Sequence, residues 1–355
     1  KIQIVLIGLL NLIFAACCSQ SNNQIMNTDI KMLVVLSDEY NFFGEEERAK
    51  LVEGLYPQEA PAAEELLRSK RPNVLLIILE SFGAKYIASF GGMPGITPNL
   101  DRLAREGVVF SECYANSYRT DRGVLSTLSG YPSFPQHSVM KMPAKSRSLS
   151  GIAQVLQGVG YKTDFLYGGD ANFTNMKGYL LSTGYQRVTD DATLARDLPR
   201  QSWGVQDHAT FDYLYNEIMK RGEGEPWHTA FLTLSSHEPF IVPYQKFKEE
   251  VPNAFAYVDD CIGRLADRLR KTKAWENLLV ICVADHGYFT GEGKGRHTSY
   301  IHHIPMLWFG GAVKEHRVID RLMTQSDLAA TLLAQLGLSY QAFPFSRNIL
   351  AGNYT

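Results

Sequence analysis

Five cysteines in 355 residues, Cys17, Cys18, Cys113, Cys261 and Cys282, are too few and too scattered to frame a disulfide-stapled fold, and no C-x-x-C pair is present to hold zinc. Charge of one sign is equally scarce: 35 Lys and Arg stand against 37 Asp and Glu, a formal net charge of -2. That excludes the broad basic field by which nucleic acid is held, so no nucleic-acid partner is expected. Beyond residue 18 no apolar run approaches the roughly 20 residues that span a bilayer. Internal repeats and low-complexity tracts are also missing. What is present is an ordinary globular mix, 45% hydrophobic and 20% charged, which fits neither a disordered chain nor a multi-span membrane protein.

The membrane signal is confined to the start. Residues 2–18 are almost wholly apolar, preceded by Lys1 and followed by a polar run over residues 19–23. Three readings stay open for this stretch: a cleaved signal peptide, a lipoprotein anchor at Cys17, and the end of a transmembrane helix. All three make residues 1–22 an anchor or signal segment and place the remainder outside the cytoplasm. Residues 23–70 read as a linker that wraps onto the main domain. Within it, residues 43–52 carry the charged face and short apolar stripe of an amphipathic helix.

From Arg71 the pattern changes to strands alternating with helices, which argues for one catalytic domain over residues 71–355. The continuous aliphatic runs at 73–79 and 278–284 mark strands buried on both faces of a parallel sheet. Further strands are expected at 163–167, 229–234 and 305–309. Helices are expected at 97–107, with Thr97 as cap, Pro98 in the first turn and Gly107 as stop, at 254–273, and after Thr120 up to Gly130. The fold class is α/β, with a central, mostly parallel sheet covered by helices on both faces.

The two buried runs end on polar residues. Glu80 follows the first, and Asp285-His286-Gly287 follow the second, at the strand ends where open α/β sheets place their ligands. An unpaired carboxylate is costly to bury, so packing alone accounts poorly for Asp285 there. Two carboxylates and an imidazole suit a divalent cation such as Mn²⁺ or Zn²⁺. Thr120 sits at a helix start, where a hydroxyl can meet an anion and metal contact can make it a usable nucleophile. A plain N-cap threonine is the alternative.

Taken in order, residues 73–81, Thr97 to Arg102, Thr120 to Pro132, Ser235-Ser236-His237-Glu238-Pro239-Phe240 and Asp285-His286-Gly287 resemble the alkaline phosphatase superfamily. More closely, residues 71–350 resemble its lipoteichoic acid synthase and phosphoglycerol transferase branch, often grouped under the sulfatase domain. The resemblance implies an alkaline phosphatase-like fold in which Glu80, Thr120, Asp285 and His286 bind one divalent ion, Mn²⁺ before Zn²⁺ or Mg²⁺. Thr120 would be the nucleophile and His237 would face the substrate phosphate and could protonate the leaving oxygen. It also implies a phospholipid donor resembling phosphatidylglycerol, an envelope glycan acceptor, and a phosphothreonine intermediate. His303 resembles a position that helps to hold a second zinc in phosphoethanolamine transferases. It ranks below His237, with His302 and His297 as further candidates.

The sequence departs from the Gram-positive polymerases after the strand at 163–167. Their His-Gly-Asp and Trp-Asn-Arg are here Gly168-Gly169-Asp170 and Thr174-Asn175-Met176. Asp170 and Asn175 remain as substrate-binding candidates, while the guanidinium that would grip phosphate in two places is gone. Arg119 and Arg122 flank Thr120 and could replace that charge, or stand as solvated helix-start arginines. Trp203-Gly204-Val205-Gln206-Asp207 resembles a family segment near the active site, with Trp203 open to a plain packing role. The alternatives on this fold are a phosphodiesterase, a sulfatase-like hydrolase and a phosphoethanolamine transferase. Sulfate-ester cleavage needs Cys or Ser oxidised to formylglycine, an aldehyde that the Thr120 side chain cannot become.

Overall fold

The computed structural model describes residues 59–354 apart from 63, 135, 223 and 289–297. The apolar segment 2–18, the expected helix at 43–52 and His297 therefore lie outside the described residues. The two aliphatic runs form β1 (Asn73–Leu79) and β9 (Leu278–Ala284), at the bounds that the sequence pattern predicts. Nearly every side chain of both strands is buried, although successive side chains point to opposite faces, so both faces of the sheet are covered.

Between them in sequence lie β2 (Val108–Phe110), β3 (Cys113–Tyr114), β4 (Lys162–Tyr167), β5 (Arg187–Thr189), β6 (Arg200–Gln201), β7 (Gly204–Val205) and β8 (Trp227–Leu232). After β9 come β10 (Met306–Phe309), β11 (Arg317–Ile319) and β12 (Met323–Thr324). The eight-stranded sheet runs in the order β11-β2-β10-β9-β1-β8-β4-β5. Strands β9, β1, β8, β4 and β5 are mutually parallel, and β10 joins antiparallel to β9. This is the expected mostly parallel sheet. Strand β8 starts and ends two residues earlier than the pattern implies; just beyond its end the Thr233 N–H donates to the Ile78 carbonyl at 3.0 Å and the Thr233 hydroxyl accepts from the Glu80 backbone N–H at 2.9 Å.

Five helices position the site: α1 (Pro98–Ala104), α2 (Thr120–Ser129), α3 (Asp207–Met219), α4 (Glu250–Leu269) and α5 (Leu328–Gln335). Helix α4 packs on α1 and α3, while α5 packs on α2. The stripe Val258, Ile262, Leu265 and Leu269 of α4 is buried, as its helical spacing predicts. Gly130 ends α2 in the left-handed conformation at φ 57°. The start of α1 differs from expectation. Thr97 occupies the cap position, but its hydroxyl donates to the Tyr86 carbonyl at 2.8 Å. Asp259 of α4 caps α1 instead, accepting from the Leu100 N–H at 2.7 Å and the Asn99 N–H at 3.1 Å.

The described part of the expected linker lies against this body. Leu66 and Leu67 are buried in the core, and the Leu66 N–H donates to the Gln335 side chain at 2.7 Å. No helix among the described residues is long and apolar enough to cross a membrane.

Candidate active site

In the β1–β9 register Leu79 pairs with Ala284, so the next residue of each strand, Glu80 and Asp285, emerges at the same edge of the sheet. The Asp285 N–H donates to the Leu79 carbonyl at 3.2 Å. Both carboxylates are buried, at 1% and 0% exposure, and His286 beside them is 9% exposed. Burial first, and the Glu80 carboxylate second, push the Asp285 carboxyl well above the usual carboxylate range.

The partners of these groups leave one set of lone pairs over. Asp285 Oδ1 accepts from the N–H groups of His286 at 2.7 Å and Ser81 at 2.8 Å, whereas Asp285 Oδ2 is buried with no hydrogen-bond partner among the described residues. The Ser81 hydroxyl donates to Glu80 Oε1 at 2.8 Å. His286 Nδ1 lies 3.0 Å from the Gly287 carbonyl, which places the proton on that nitrogen and leaves the Nε2 lone pair bare. Nε2 stands 3.6 Å from both Glu80 Oε1 and Asp285 Oδ2. One ligand atom from each of Glu80, Asp285 and His286 falls within 4.8 Å of the others. An orphaned buried carboxylate oxygen, a second carboxylate and an imidazole held in the ligating tautomer together fit a divalent cation.

Helix α2 brings Thr120 to this cluster. Thr120 is the first helical residue, not the cap, which is Arg119 in extended conformation. Its hydroxyl lies 3.2 and 3.4 Å from the two Glu80 oxygens and 3.5 Å from His286 Nε2. The close approach depends on Gly123, one turn along. A Cβ there would stand 2.0 Å from the Asp285 carbonyl oxygen.

His237 reaches the same place from the loop after β8. Buried Asp207, at the start of α3, holds that loop, accepting from the Ser235 N–H at 2.8 Å and the Leu234 N–H at 3.0 Å. Burial pushes the Asp207 carboxyl up to about 6. The Ser236 hydroxyl donates to the Glu80 carbonyl at 2.6 Å. The Glu238 carbonyl lies 2.7 Å from His237 Nδ1 and accepts from Trp203 Nε1 at 2.7 Å, and the Trp203 and His237 rings stand 4.7 Å apart.

A cavity of about 750 Å³ opens over these groups, lined by Glu80, Thr120, His286, His237, Arg119 and Asp170 among others. Asp285 lies buried beneath it, and among the other residues named from the sequence Arg122, Asn175, His303 and His302 do not line it. Arg122, two positions beyond Thr120, projects from a different side of α2. Asn175 folds back to donate to the Met140 carbonyl at 2.8 Å. His303 has Nε2 2.7 Å from the Ser111 carbonyl and stacks on Tyr114 at 5.2 Å, so it stands apart from the cluster. His302 likewise has Nδ1 2.9 Å from the Ala115 carbonyl.

Sequence reasoning missed Lys141, Phe173, Arg200 and Tyr288, all in the lining. Lys141 Nζ lies 3.6 Å from Asp121 Oδ2. Arg200 is committed to Asp191 and to the carbonyls of Ala195, Arg196 and Leu198, so its guanidinium serves the loop and not the cavity. Trp203, 41% exposed beside Phe173 at 62%, forms an aromatic wall and is not a packed core residue.

The family model described as Sulfatase matches residues 72–338. Phosphoglycerol transferase I of Xanthomonas campestris is 25% identical over 308 residues, which cover 80% of this chain and 43% of that protein. Lipoteichoic acid synthase 2 of Bacillus subtilis is 24% identical over 315 residues, covering 79% and 47%. The chain thus spans less than half the length of these curated relatives. A protein in the alkaline phosphatase superfamily from Vibrio parahaemolyticus superposes with a TM-score of 0.75 at 30% identity, over 83% of this chain and 72% of that one. A lipoteichoic acid synthase from Listeria monocytogenes has the same fold, with a TM-score of 0.74 at 17% identity over 85% and 81%.

Proposed function

The chain belongs to the sulfatase family, and from that premise we propose that it is a metal-dependent transferase that moves phosphoglycerol, or a similar phosphoalcohol, through a phosphothreonine at Thr120. The observation that carries this is the Thr120 hydroxyl, 3.2 Å from a Glu80 oxygen and 3.5 Å from His286 Nε2, at the edge of a buried carboxylate pair. The relatives named phosphoglycerol transferase and lipoteichoic acid synthase support the same chemistry. The proposed donor is a phospholipid resembling phosphatidylglycerol, and the proposed acceptor is an envelope glycan. We place the catalytic domain, residues 71–355, outside the cytoplasm. There the segment at residues 1–22 would hold it at the membrane, and residues 23–70 would link the two.

Glu80, Asp285, His286 and the Thr120 hydroxyl would hold the cation, Mn²⁺ before Zn²⁺ or Mg²⁺. When bound, a divalent cation neutralises phosphate charge and lowers the pKa of a hydroxyl. The residues do the rest. Thr120 Oγ1 attacks the donor phosphorus, losing its proton to solvent and regaining one from solvent when it is later displaced, and forms a Thr–O–P bond as the bond from phosphorus to the lipid oxygen breaks. His237, anchored through Nδ1, gives a proton to that oxygen and recovers one from the acceptor hydroxyl that displaces Thr120. Arg119 and Lys141 stand beside Thr120 to meet the phosphate charge, and Trp203 and Phe173 offer faces on which the acceptor can stack.

The test is mass spectrometry of the Thr120 peptide after incubation with Mn²⁺ and a labelled phosphatidylglycerol analogue, with Thr120→Ala as control. A glycerophosphate adduct lost in the variant is the expected result. No adduct and no released diacylglycerol would overturn phosphatidylglycerol as donor. An adduct formed only from phosphoethanolamine lipids would assign the chain to that chemistry instead.

A further inference from the structure

Gln325 is fully buried, at 0% exposure, in the single turn Gln325–Asp327 that joins β12 to α5. It does not line the cavity. Its amide oxygen accepts from the Asn116 N–H at 2.8 Å, in the segment that leads into Thr120. Its amide nitrogen lies 2.9 Å from the Asp285 carbonyl, 3.1 Å from Thr127 Oγ1, 3.2 Å from the Ala284 carbonyl and 3.4 Å from the Gly123 carbonyl. An amide has two N–H groups, so the four acceptors share them.

One side chain thus joins the approach to Thr120, the first two turns of α2 and the end of β9 that carries Asp285. No side chain separates α2 from that end, since Gly123 touches the Asp285 backbone directly. The spacing between helix and strand therefore rests on a backbone contact and on this amide. A hydrocarbon of the same length would fill the space but would leave these buried carbonyls without that donor.

We propose that Gln325 is a positioning residue that fixes the Thr120 hydroxyl relative to the Glu80–Asp285–His286 cluster. It acts on the rate of attack and not on the binding of substrate or cation. A displacement near 1 Å at a reacting atom is enough to slow a positioned reaction by about two orders of magnitude. This inference rests on Thr120 being the nucleophile.

Two variants test it: Gln325→Met, which keeps length without the amide, and the milder Thr127→Val, which removes one acceptor. The readouts are KM, the single-turnover rate of the Thr120 adduct at saturating donor, Mn²⁺ affinity by calorimetry, and hydrogen exchange over residues 120–129 with and without Mn²⁺. For Gln325→Met the expected result is a tenfold to hundredfold slower adduct, with KM and Mn²⁺ affinity within threefold of wild type. For Thr127→Val a twofold to fivefold slower adduct is expected. Mn²⁺ should slow exchange along α2 in the wild type and lose that effect in Gln325→Met. An adduct rate within twofold of wild type overturns the proposal, and so does a rate loss matched by lost Mn²⁺ affinity. Should Gln325→Met fail to fold, Thr127→Val decides alone. If the wild type forms no adduct with any donor, the proposed function fails, and hydrogen exchange still judges Gln325: equal protection of α2 in both proteins overturns the link.

Discussion

In the proposed reaction a phosphodiester brings a negative charge to Thr120, and the cations around that hydroxyl would govern how tightly it is held. Among the described residues, Arg200 is committed to its own loop, which leaves Arg119 and Lys141 as the Arg and Lys side chains of the lining. Lys141→Met is expected to raise KM for the donor about tenfold, the scale of one hydrogen bond to a charged group, while kcat stays within twofold. Steady-state kinetics check this, and an unchanged KM would remove Lys141 from the substrate's path. Lys141 was invisible in the sequence because it sits in a one-turn helix, Val139–Lys141, with no motif around it. Glu80 and Asp285 were legible because each ends an apolar run that has no other use for a carboxylate. His303 and Asn175 misled for a related reason: a polar side chain next to a motif is often spent on a nearby carbonyl, here Ser111 and Met140.

The elements were legible wherever burial on two sides forces an unbroken apolar run, which is why β1 and β9 matched to the residue. Helix α4 begins and ends four residues earlier than the expected 254–273, since its first turn, from Glu250, contributes little to the core and Leu269 is the last position of the buried stripe. The cap of α1 could not be read locally, because its acceptor is Asp259, 160 residues from Asn99. Burial pushes the Asp259 carboxyl from 3.8 up to about 6. Between those values the folded protein keeps a proton that the unfolded chain has lost, so this stabilising contribution is present at low pH and fades as pH rises through 6. Asp259→Asn, which cannot ionise, is therefore expected to gain on the wild type between pH 4 and pH 7, by on the order of 3 kcal/mol. Urea unfolding of both proteins at the two pH values measures it, and parallel pH profiles would refute it.

At the scale of the molecule, the carboxylate pair is a site of repulsion that a bound cation would relieve. Mn²⁺ at about 100 times its Kd should add roughly 2.7 kcal/mol of stability, or about 5 °C in Tm for a domain of this size. Excess EDTA should reverse the shift and Asp285→Asn should abolish it. A Tm that ignores millimolar Mn²⁺ would count against the cluster as a cation site. The sheet order has a consequence for biosynthesis as well. Both neighbours of β1, β8 and β9, come from much later in the chain. During synthesis a seven-residue aliphatic strand must wait with two open edges until residue 227 and beyond have emerged. Truncations that end before β8 should accordingly accumulate as insoluble aggregate, and the wild type should depend on holding factors until its second half arrives.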